Sequence, residues 1–83
     1  MNTRPKTLDC IRDGESAKVL ALGTNSALRE RLLALGLTAG TMVECVRAGN
    51  GIAAYRIRGA VIALRDVDAR SIEIIPETAA ALL

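Results

Sequence analysis

The chain has 83 residues, which is enough for one domain near the lower size limit of proteins that fold without metals or disulfides. Its apolar fraction is 51%, but 14 of these residues are alanines and Tyr55 is the only aromatic residue, so a core of Leu, Ile and Val leaves little room for a deep catalytic cavity. The 11 basic and 9 acidic residues are interspersed, without the basic stripe that nucleic-acid-binding proteins carry.

The first predicted elements are a helical turn and a strand. Leu8 and Ile11 lie three residues apart, which suits one helical turn, and the following Asp-Gly pair, which contains Gly14, marks a turn of the chain. The segment AKVLALG, residues 17–23, is the first predicted strand. We expect the domain to cover residues 8–75, with residues 1–7 as a flexible terminus.

The segment ALRERLLALG predicts a short helix that Ser26 caps at its start and Gly36 closes at its end. On this helix Leu28, Leu32 and Leu35 form one stripe, which predicts the face that packs on the core. Leu33 lies outside the stripe, about 140° around the helix from Leu28. Packing of one helix face on the core therefore does not explain why position 33 is a leucine.

After the helix, Gly40 ends a tight turn and the pattern changes to short strands. These strands are predicted over residues 41–47, 52–58, 60–65 and 72–75. Asn50-Gly51 and Gly59 mark the two intervening hairpin turns. The order predicts a mainly-β fold, a small, partly open barrel of about five strands with one short helix inserted after the first strand.

Two predictions concern the last part of the chain. The segment DVDARS predicts one 3₁₀ turn, with Asp66 and Asp68 as capping residues rather than a reactive carboxylate pair. Pro76 is predicted to stop the last strand, which leaves residues 76–83 as a flexible tail.

Several classes of function are excluded or disfavoured. The chain has no histidine, which excludes the Ser-His-Asp and Cys-His arrangements, and no glycine-rich loop precedes a helix and a lysine to bind phosphate. We therefore predict that the protein is not an enzyme. It has no signal peptide and no apolar run of the roughly 18 residues that span a bilayer, so we expect a cytoplasmic protein without direct membrane insertion.

The cysteines do not have the spacing of a zinc or redox motif. Cys45 alternates with Val43 and is predicted to be a buried residue, whereas the setting of Cys10 favours a free thiol. No cofactor is required, but a weakly bound divalent metal stays an open alternative because such ions accept oxygen-rich sites that water or a second chain completes. The weak candidate ligands are Asp9, Cys10, Asp13 and Glu15.

Arg56 and Arg58 are predicted to share one face of a strand. They could form a docking patch for an acidic partner. Alternatively, they belong to the solvated face of a half-buried hairpin and pair with Glu44 or Glu73.

The ordered set of motifs resembles the FeoA family of small proteins in bacterial ferrous iron uptake. The segments that carry the resemblance are DCIRDGESAKVLAL, LRERLLALGLTAGTMVECVR and YRIRGAVIALRDVDARSIEI, which together span residues 8–75. Two departures are Ala39, where many members have proline, and the short hairpin loop 49–51. The family's structural turns correspond to Gly14, Gly36, Gly40 and Gly59.

The resemblance implies an SH3-like barrel and a non-catalytic accessory role in iron transport. The implied partner is FeoB, the membrane transporter with a GTP-hydrolysing cytosolic domain, which would recruit the protein to the inner face of the cytoplasmic membrane. A metal-responsive module that binds Fe²⁺ or Zn²⁺ is the alternative function. A homo-oligomer is left open, and nucleic acid is not expected as a partner.

Leu33 beside Arg29 predicts an apolar anchor for a partner. The competing interpretation places Leu33 under the loop that carries Leu37 and Met42. The full set of candidate partner-binding residues is Arg29, Leu32, Leu33, Leu37, Met42, Arg56 and Arg58.

Overall fold

The computed structural model of the protein describes residues 6–23 and 26–77. The six strands are β1 Lys6–Thr7, β2 Ser16–Leu22, β3 Met42–Gly49, β4 Ile52–Ile57, β5 Ala60–Arg65 and β6 Ile72–Pro76. A 3₁₀ turn covers Leu8–Cys10, and the two α-helices are α1 Ser26–Ala34 and α2 Asp66–Ala69. The predicted cap concerns the side chain of Ser26, which is not among the described side chains, and the predicted tail beyond residue 77 lies outside the described residues. None of the described helices is long and apolar enough to cross a membrane.

The strands form one antiparallel sheet in the order β1-β6-β2-β3-β4-β5. The predicted mainly-β fold with one helix after the first long strand is confirmed. The sheet also includes Lys6 and Thr7, which we had expected to be flexible and which pair with Ile74 and Glu73. Two residues are too few to show the alternation by which a strand is recognised in a sequence. At the other end, Pro76 pairs with Ala17 as the last residue of β6 rather than stopping the strand before it.

Both central hairpins close through two-residue turns with positive φ. Asn50 and Gly51 have φ of 54° and 82°, and Arg58 and Gly59 have φ of 49° and 88°. Such a pair of left-handed residues is typical of the type I′ turn, whose twist matches that of the flanking strands. Arg58 was predicted as the last residue of a strand, but it occupies the first turn position, so it does not share a strand face with Arg56.

Two irregularities bend the sheet. The register of β2 against β6 shifts between Val19 and Ala21, and that of β3 against β4 shifts between Cys45 and Arg47. A bulge of this kind inserts one unpaired residue and increases the local twist, which curves a strand around a core. β3 runs to Gly49, two residues beyond its predicted end, because the turn to β4 consists of Asn50 and Gly51 alone.

The core lies inside the curved sheet and under α1. Every strand from β2 to β6 contributes inward-facing residues, and Tyr55 is the largest fully buried side chain. Leu28 and Leu32 of the predicted stripe are buried, whereas Leu35 is half-buried. Cys45 is fully buried, as predicted, and Cys10 is exposed.

The predicted capping role of Asp66 and Asp68 is wrong. Their segment is a four-residue α-helix whose N-cap is Arg65, and no side chain caps it. Asp66 is the first residue of the helix rather than the residue before it. Its backbone N–H donates to the Gly51 carbonyl at 2.8 Å. The Asp68 carboxylate accepts hydrogen bonds from Arg65 Nε and Nη2 at 2.9 and 3.3 Å.

Two buried acids predict a loss of stability in alkaline solution. Burial raises the pKa of the Cys45 thiol above its ordinary value of 9.0, and burial also raises the pKa of the Tyr55 hydroxyl above 10.0. The folded state therefore keeps protons that the unfolded state releases, so the contribution of these two groups to stability is constant below about pH 9 and falls above it, by up to about 1.4 kcal/mol per pH unit for each group. Urea denaturation from pH 8 to pH 11 measures the fall.

The Tyr55→Phe variant is the control for this pH dependence. It keeps the buried ring but has no hydroxyl to ionise, so its stability should fall less steeply above about pH 10. A parallel fall in both proteins would contradict the assignment of the pH dependence to Tyr55.

Candidate docking surface

Helix α1 ends in a well-formed C-terminal cap. Gly36 has a φ of 92°, and its N–H donates to the Leu33 carbonyl at 2.9 Å. The N–H of Leu37 donates to the Leu32 carbonyl, also at 2.9 Å. This pair of bonds is the Schellman motif, and the burial of Leu37 supplies the apolar contact that accompanies it. The end of α1 that was predicted at Gly36 is therefore fixed by both hydrogen bonds and packing.

The side chain of Arg58 connects this cap to the β4–β5 turn by hydrogen bonds. Its Nε donates to the Gly36 carbonyl at 2.8 Å, and its Nη2 lies 3.4 Å from Thr41 Oγ1. The Thr41 hydroxyl itself donates to the Gly36 carbonyl at 3.2 Å and accepts from the Thr38 N–H at 3.1 Å. We refer to Arg58, Gly36, Thr38 and Thr41 as the arginine clamp. It joins two turns that are 22 residues apart in sequence.

A shallow groove of about 270 Å³ lies beside the arginine clamp on the outer face of the sheet. Met42 supplies its apolar part and is 44% exposed. Arg56 crosses to Glu44 on the neighbouring strand, with 2.8 Å between Nη1 and Oε1. The pairing of Arg56 with Glu44 is as predicted for a solvated hairpin face, and Arg58 borders the same groove.

The candidate partner-binding residues separate into two groups. Leu32 and Leu37 are 1% and 0% exposed, so they belong to the core and offer no surface to a partner. The remaining five are exposed: Arg29, Leu33, Met42, Arg56 and Arg58. Arg29 and Leu33 are four residues apart on α1 and therefore share one helix face.

The structure shows how far Leu33 is exposed. Leu33 is 40% exposed and Met42 is 44% exposed, while Leu37 points into the core. Leu33 is therefore not fully enclosed by the loop that carries the other two residues. Among the large apolar residues of α1, Leu28 and Leu32 are buried and Leu33 is not.

The weak metal candidates are each engaged with other protein groups. Asp13 accepts a hydrogen bond from the Ala48 N–H and Glu15 accepts one from the Arg12 N–H, both at 2.7 Å. Asp9 accepts a hydrogen bond from the Thr7 hydroxyl and lies 3.5 Å from Arg70 Nε. Within residues 6–23 and 26–77, no three side chains of His, Cys, Asp or Glu are grouped to hold a metal ion.

Sequence reasoning missed the roles of Thr41 and Asp13. Thr41 is 6% exposed and connects three partners of the arginine clamp, but a single threonine after a glycine carries no recognisable signal. Asp13 ties the turn before β2 to β3 across 35 residues of sequence. A contact between residues so far apart in the sequence leaves no recognisable pattern in the residues near either of them.

The fold and this surface define a small, mainly-β domain of the SH3-like class whose inserted helix is held against the sheet. The model of the FeoA domain family matches residues 6–76, and the chain belongs to that family. FeoA domains are non-enzymatic accessory domains associated with ferrous iron transport. A search of curated proteins found no match.

Solved structures with the same fold agree with the assignment. The chain is similar to the FeoA protein from Chlorobium tepidum, with 25% identity, a TM-score of 0.77 and coverage of 84% of this chain and 69% of that one. A FeoA-like protein from Clostridium acetobutylicum shares 22% identity over 90% of both chains, with a TM-score of 0.76. A manganese-dependent transcriptional repressor shares the fold, with 16% identity, a TM-score of 0.75 and coverage of 92% of this chain but 44% of the repressor.

Proposed function

We propose that the protein docks on the cytosolic part of a FeoB-type ferrous iron transporter and modulates or stabilises that transporter. It acts in the cytoplasm and is recruited to the inner face of the membrane by this partner. The observation that carries the proposal is Leu33, a leucine that is 40% exposed on the helix α1 while its neighbour Leu32 is buried.

The setting of Leu33 supports a role as an apolar anchor. The Schellman cap begins at the carbonyls of Leu32 and Leu33, and the arginine clamp holds the residue that closes it. The backbone that presents Leu33 is therefore already ordered before a partner arrives, which lowers the entropic cost of binding. Binding energy in interfaces is concentrated in a few such anchors surrounded by polar residues.

The charges around the anchor are mixed, with Glu30 three residues before Leu33, and the two nearby arginines would suit carboxylates of a partner surface. Arg29 lies on the same face of α1 as Leu33, and Arg58 covers Gly36 three residues after it. Both arginines are exposed. Their guanidinium groups would meet carboxylates at the rim of the interface, where charge complementarity raises the association rate and fixes orientation.

The Leu33→Glu variant tests the proposal. We expect its binding to the cytosolic domain of the transporter to weaken roughly tenfold or more, because truncation of an interface anchor costs about 1–2 kcal/mol at least and the new carboxylate would also repel an acidic surface. Biolayer interferometry with the immobilised cytosolic domain measures the dissociation constant.

The matched control is Val67→Glu. Val67 is 56% exposed on α2, which packs against β5 and the 3₁₀ turn. This variant should bind like the wild type. If Leu33→Glu keeps wild-type affinity and a wild-type circular dichroism spectrum, Leu33 is not the anchor.

The metal-responsive alternative stays a prediction from the sequence. The carboxylates of Asp9, Asp13 and Glu15 have protein partners in this structure, which gives it no added support. Isothermal titration of the reduced protein with Fe²⁺ tests it directly.

A further inference from the structure

The strand β5 forms one edge of the sheet. It pairs with β4 on one side, and no other described strand lies beside it on the other. The opposite edge is β1, which has only two residues. The six residues Ala60–Arg65 therefore make the one long edge in the part of the sheet that the structure describes.

The hairpin geometry shows which backbone groups of β5 point outward. In a two-residue hairpin the residues that flank the turn form a hydrogen-bonded pair, here Ile57 and Ala60, and hydrogen-bonded pairs then alternate with non-bonded ones. Ile62 and Leu64 consequently bond to β4. The N–H and C=O groups of Val61, Ala63 and Arg65 point away from it, and no described backbone or side-chain group bonds to those of Val61 and Ala63.

This edge lacks the features that normally prevent strands from pairing with other chains. Natural edge strands are short, bulged, or carry proline or lysine. The segment AVIAL, residues 60–64, has no charged residue and no proline, and its register against β4 is unbroken. Val61 is 53% exposed and Ala63 is also exposed, so the outer face of the edge is apolar and accessible.

We propose that β5 is a self-association edge, where β5 of a second copy of this chain adds antiparallel across a two-fold axis at Ala63. The register that uses all three outward-facing residues places Ala63 opposite Ala63 and Val61 opposite Arg65. The Ala63 pair exchanges two hydrogen bonds. In each Val61–Arg65 pair the Arg65 N–H donates to the Val61 carbonyl, whereas the Arg65 carbonyl, at the N-cap of α2, already accepts the first bond of that helix, which gives about four bonds in total. The two sheets then become one continuous sheet.

The side chains and charges of β5 are compatible with this self-pairing. The small Ala63 side chains meet at the axis, and Ile62 lies across from Leu64 on the inner side. Arg65 is the only charged residue of the strand, and it faces Val61 rather than another cation. Its charge is already balanced by Asp68 of its own chain, 2.9 Å away. No like charges are therefore brought together, which is the condition that a two-fold, self-complementary interface must meet.

The test combines sedimentation with amide hydrogen exchange. We expect a weak dimer whose population rises with protein concentration, because an edge contact is smaller than the roughly 1,200 Å² that stable complexes bury. The Ala63 amide should exchange more slowly as concentration rises. The Ile62 amide bonds within the hairpin and serves as the internal control, since its exchange should not depend on concentration.

Two variants separate the edge from other surfaces. Ala63→Pro removes the outward N–H without removing a bond to β4, and proline is tolerated at such edge positions, so this variant should fold and remain monomeric. Val61→Lys introduces the kind of edge lysine by which natural strands avoid pairing with other chains, and it should also abolish the dimer. Ile75→Lys is the matched control on β6, because Ile75 is 45% exposed, and it should dimerise like the wild type.

The outcomes are distinct. Concentration-dependent protection of Ala63 that both edge variants remove supports the proposal. Protection of Ala63 that is independent of concentration would mean that the chain covers its own edge, and it would overturn the proposal. A monomer at all concentrations, or a dimer that survives Ala63→Pro, would overturn it as well. None of these outcomes depends on binding to the transporter.

Discussion

Replacement of Tyr55 by alanine is expected to lower the free energy of unfolding by about 3–5 kcal/mol, the range for large aromatic-to-alanine changes in protein cores. Tyr55 is 1% exposed and is the largest fully buried side chain. It is also the only aromatic residue, so no second ring can fill the space that it leaves. A chain of this length has a total stability of only about 4–12 kcal/mol, so the loss is a large fraction of the stability of the fold.

Urea denaturation followed by far-ultraviolet circular dichroism measures this effect without relying on the tyrosine signal. Tyr55→Phe is the control, since it keeps the ring volume and should retain most of the stability near neutral pH. A loss below about 1 kcal/mol for Tyr55→Ala would show that the surrounding strands collapse onto the cavity. Such a result would contradict a core organised around this ring.

The second large effect is expected for Gly36→Ala, at about 2–3 kcal/mol. Gly36 has a φ of 92°, where a side chain costs about 1–2 kcal/mol. A β-carbon at this position would also lie 2.5 Å from Arg58 Cδ and 2.9 Å from Arg58 Nε. The Arg58 side chain would have to move, and the arginine clamp would lose the hydrogen bond to the Gly36 carbonyl.

Gly40→Ala is a matched control for this prediction. Its φ is 91°, almost the same, but no heavy atom lies within 4 Å of an added β-carbon. It should show only the backbone cost of about 1–2 kcal/mol. The difference between the two variants therefore measures the contact with Arg58.

A double-mutant cycle checks that assignment. In an Arg58→Ala background, Gly36→Ala should cost no more than Gly40→Ala, because the side chain that it displaces is gone. If Gly36→Ala keeps its full cost in that background, the arginine clamp does not account for the sensitivity of this position. Thermal denaturation monitored by circular dichroism is sufficient for all four proteins.

The arginine clamp also links the stability predictions to the proposed docking surface. Arg58 holds the carbonyl of the residue that closes α1, and α1 carries Leu33. A variant that releases Arg58 should therefore leave Leu33 exposed but less rigidly presented. Loss of affinity in Arg58→Ala would combine the loss of a rim contact with the loss of this preorganisation.

Site prediction was less complete than fold prediction. Leu33 was identified as exceptional because helical periodicity places it off the core stripe, and the structure confirms that it is exposed. Leu37 was wrongly included among the surface residues. An apolar residue after the glycine that closes a helix fits an interface and a Schellman cap equally well, so the sequence does not distinguish them. Arg58 was predicted as a candidate but on a strand, because the dipeptide Arg-Gly is not a recognised signal for an arginine with positive φ.

The sequence by itself determined the local elements and their order. Helix periodicity, the Asn50-Gly51 turn and the glycines at 36, 40 and 59 are short-range features, and each fixes φ or the buried face of a few neighbouring residues. The tertiary structure alone decided the arginine clamp, the link from Asp13 to Ala48 and the position of β5 at the edge. These depend on residues that are 22 and 35 positions apart, or on which of the described strands lie next to each other. Local chemistry specifies how a segment bends, but only the arrangement of the strands in the sheet specifies which segments meet.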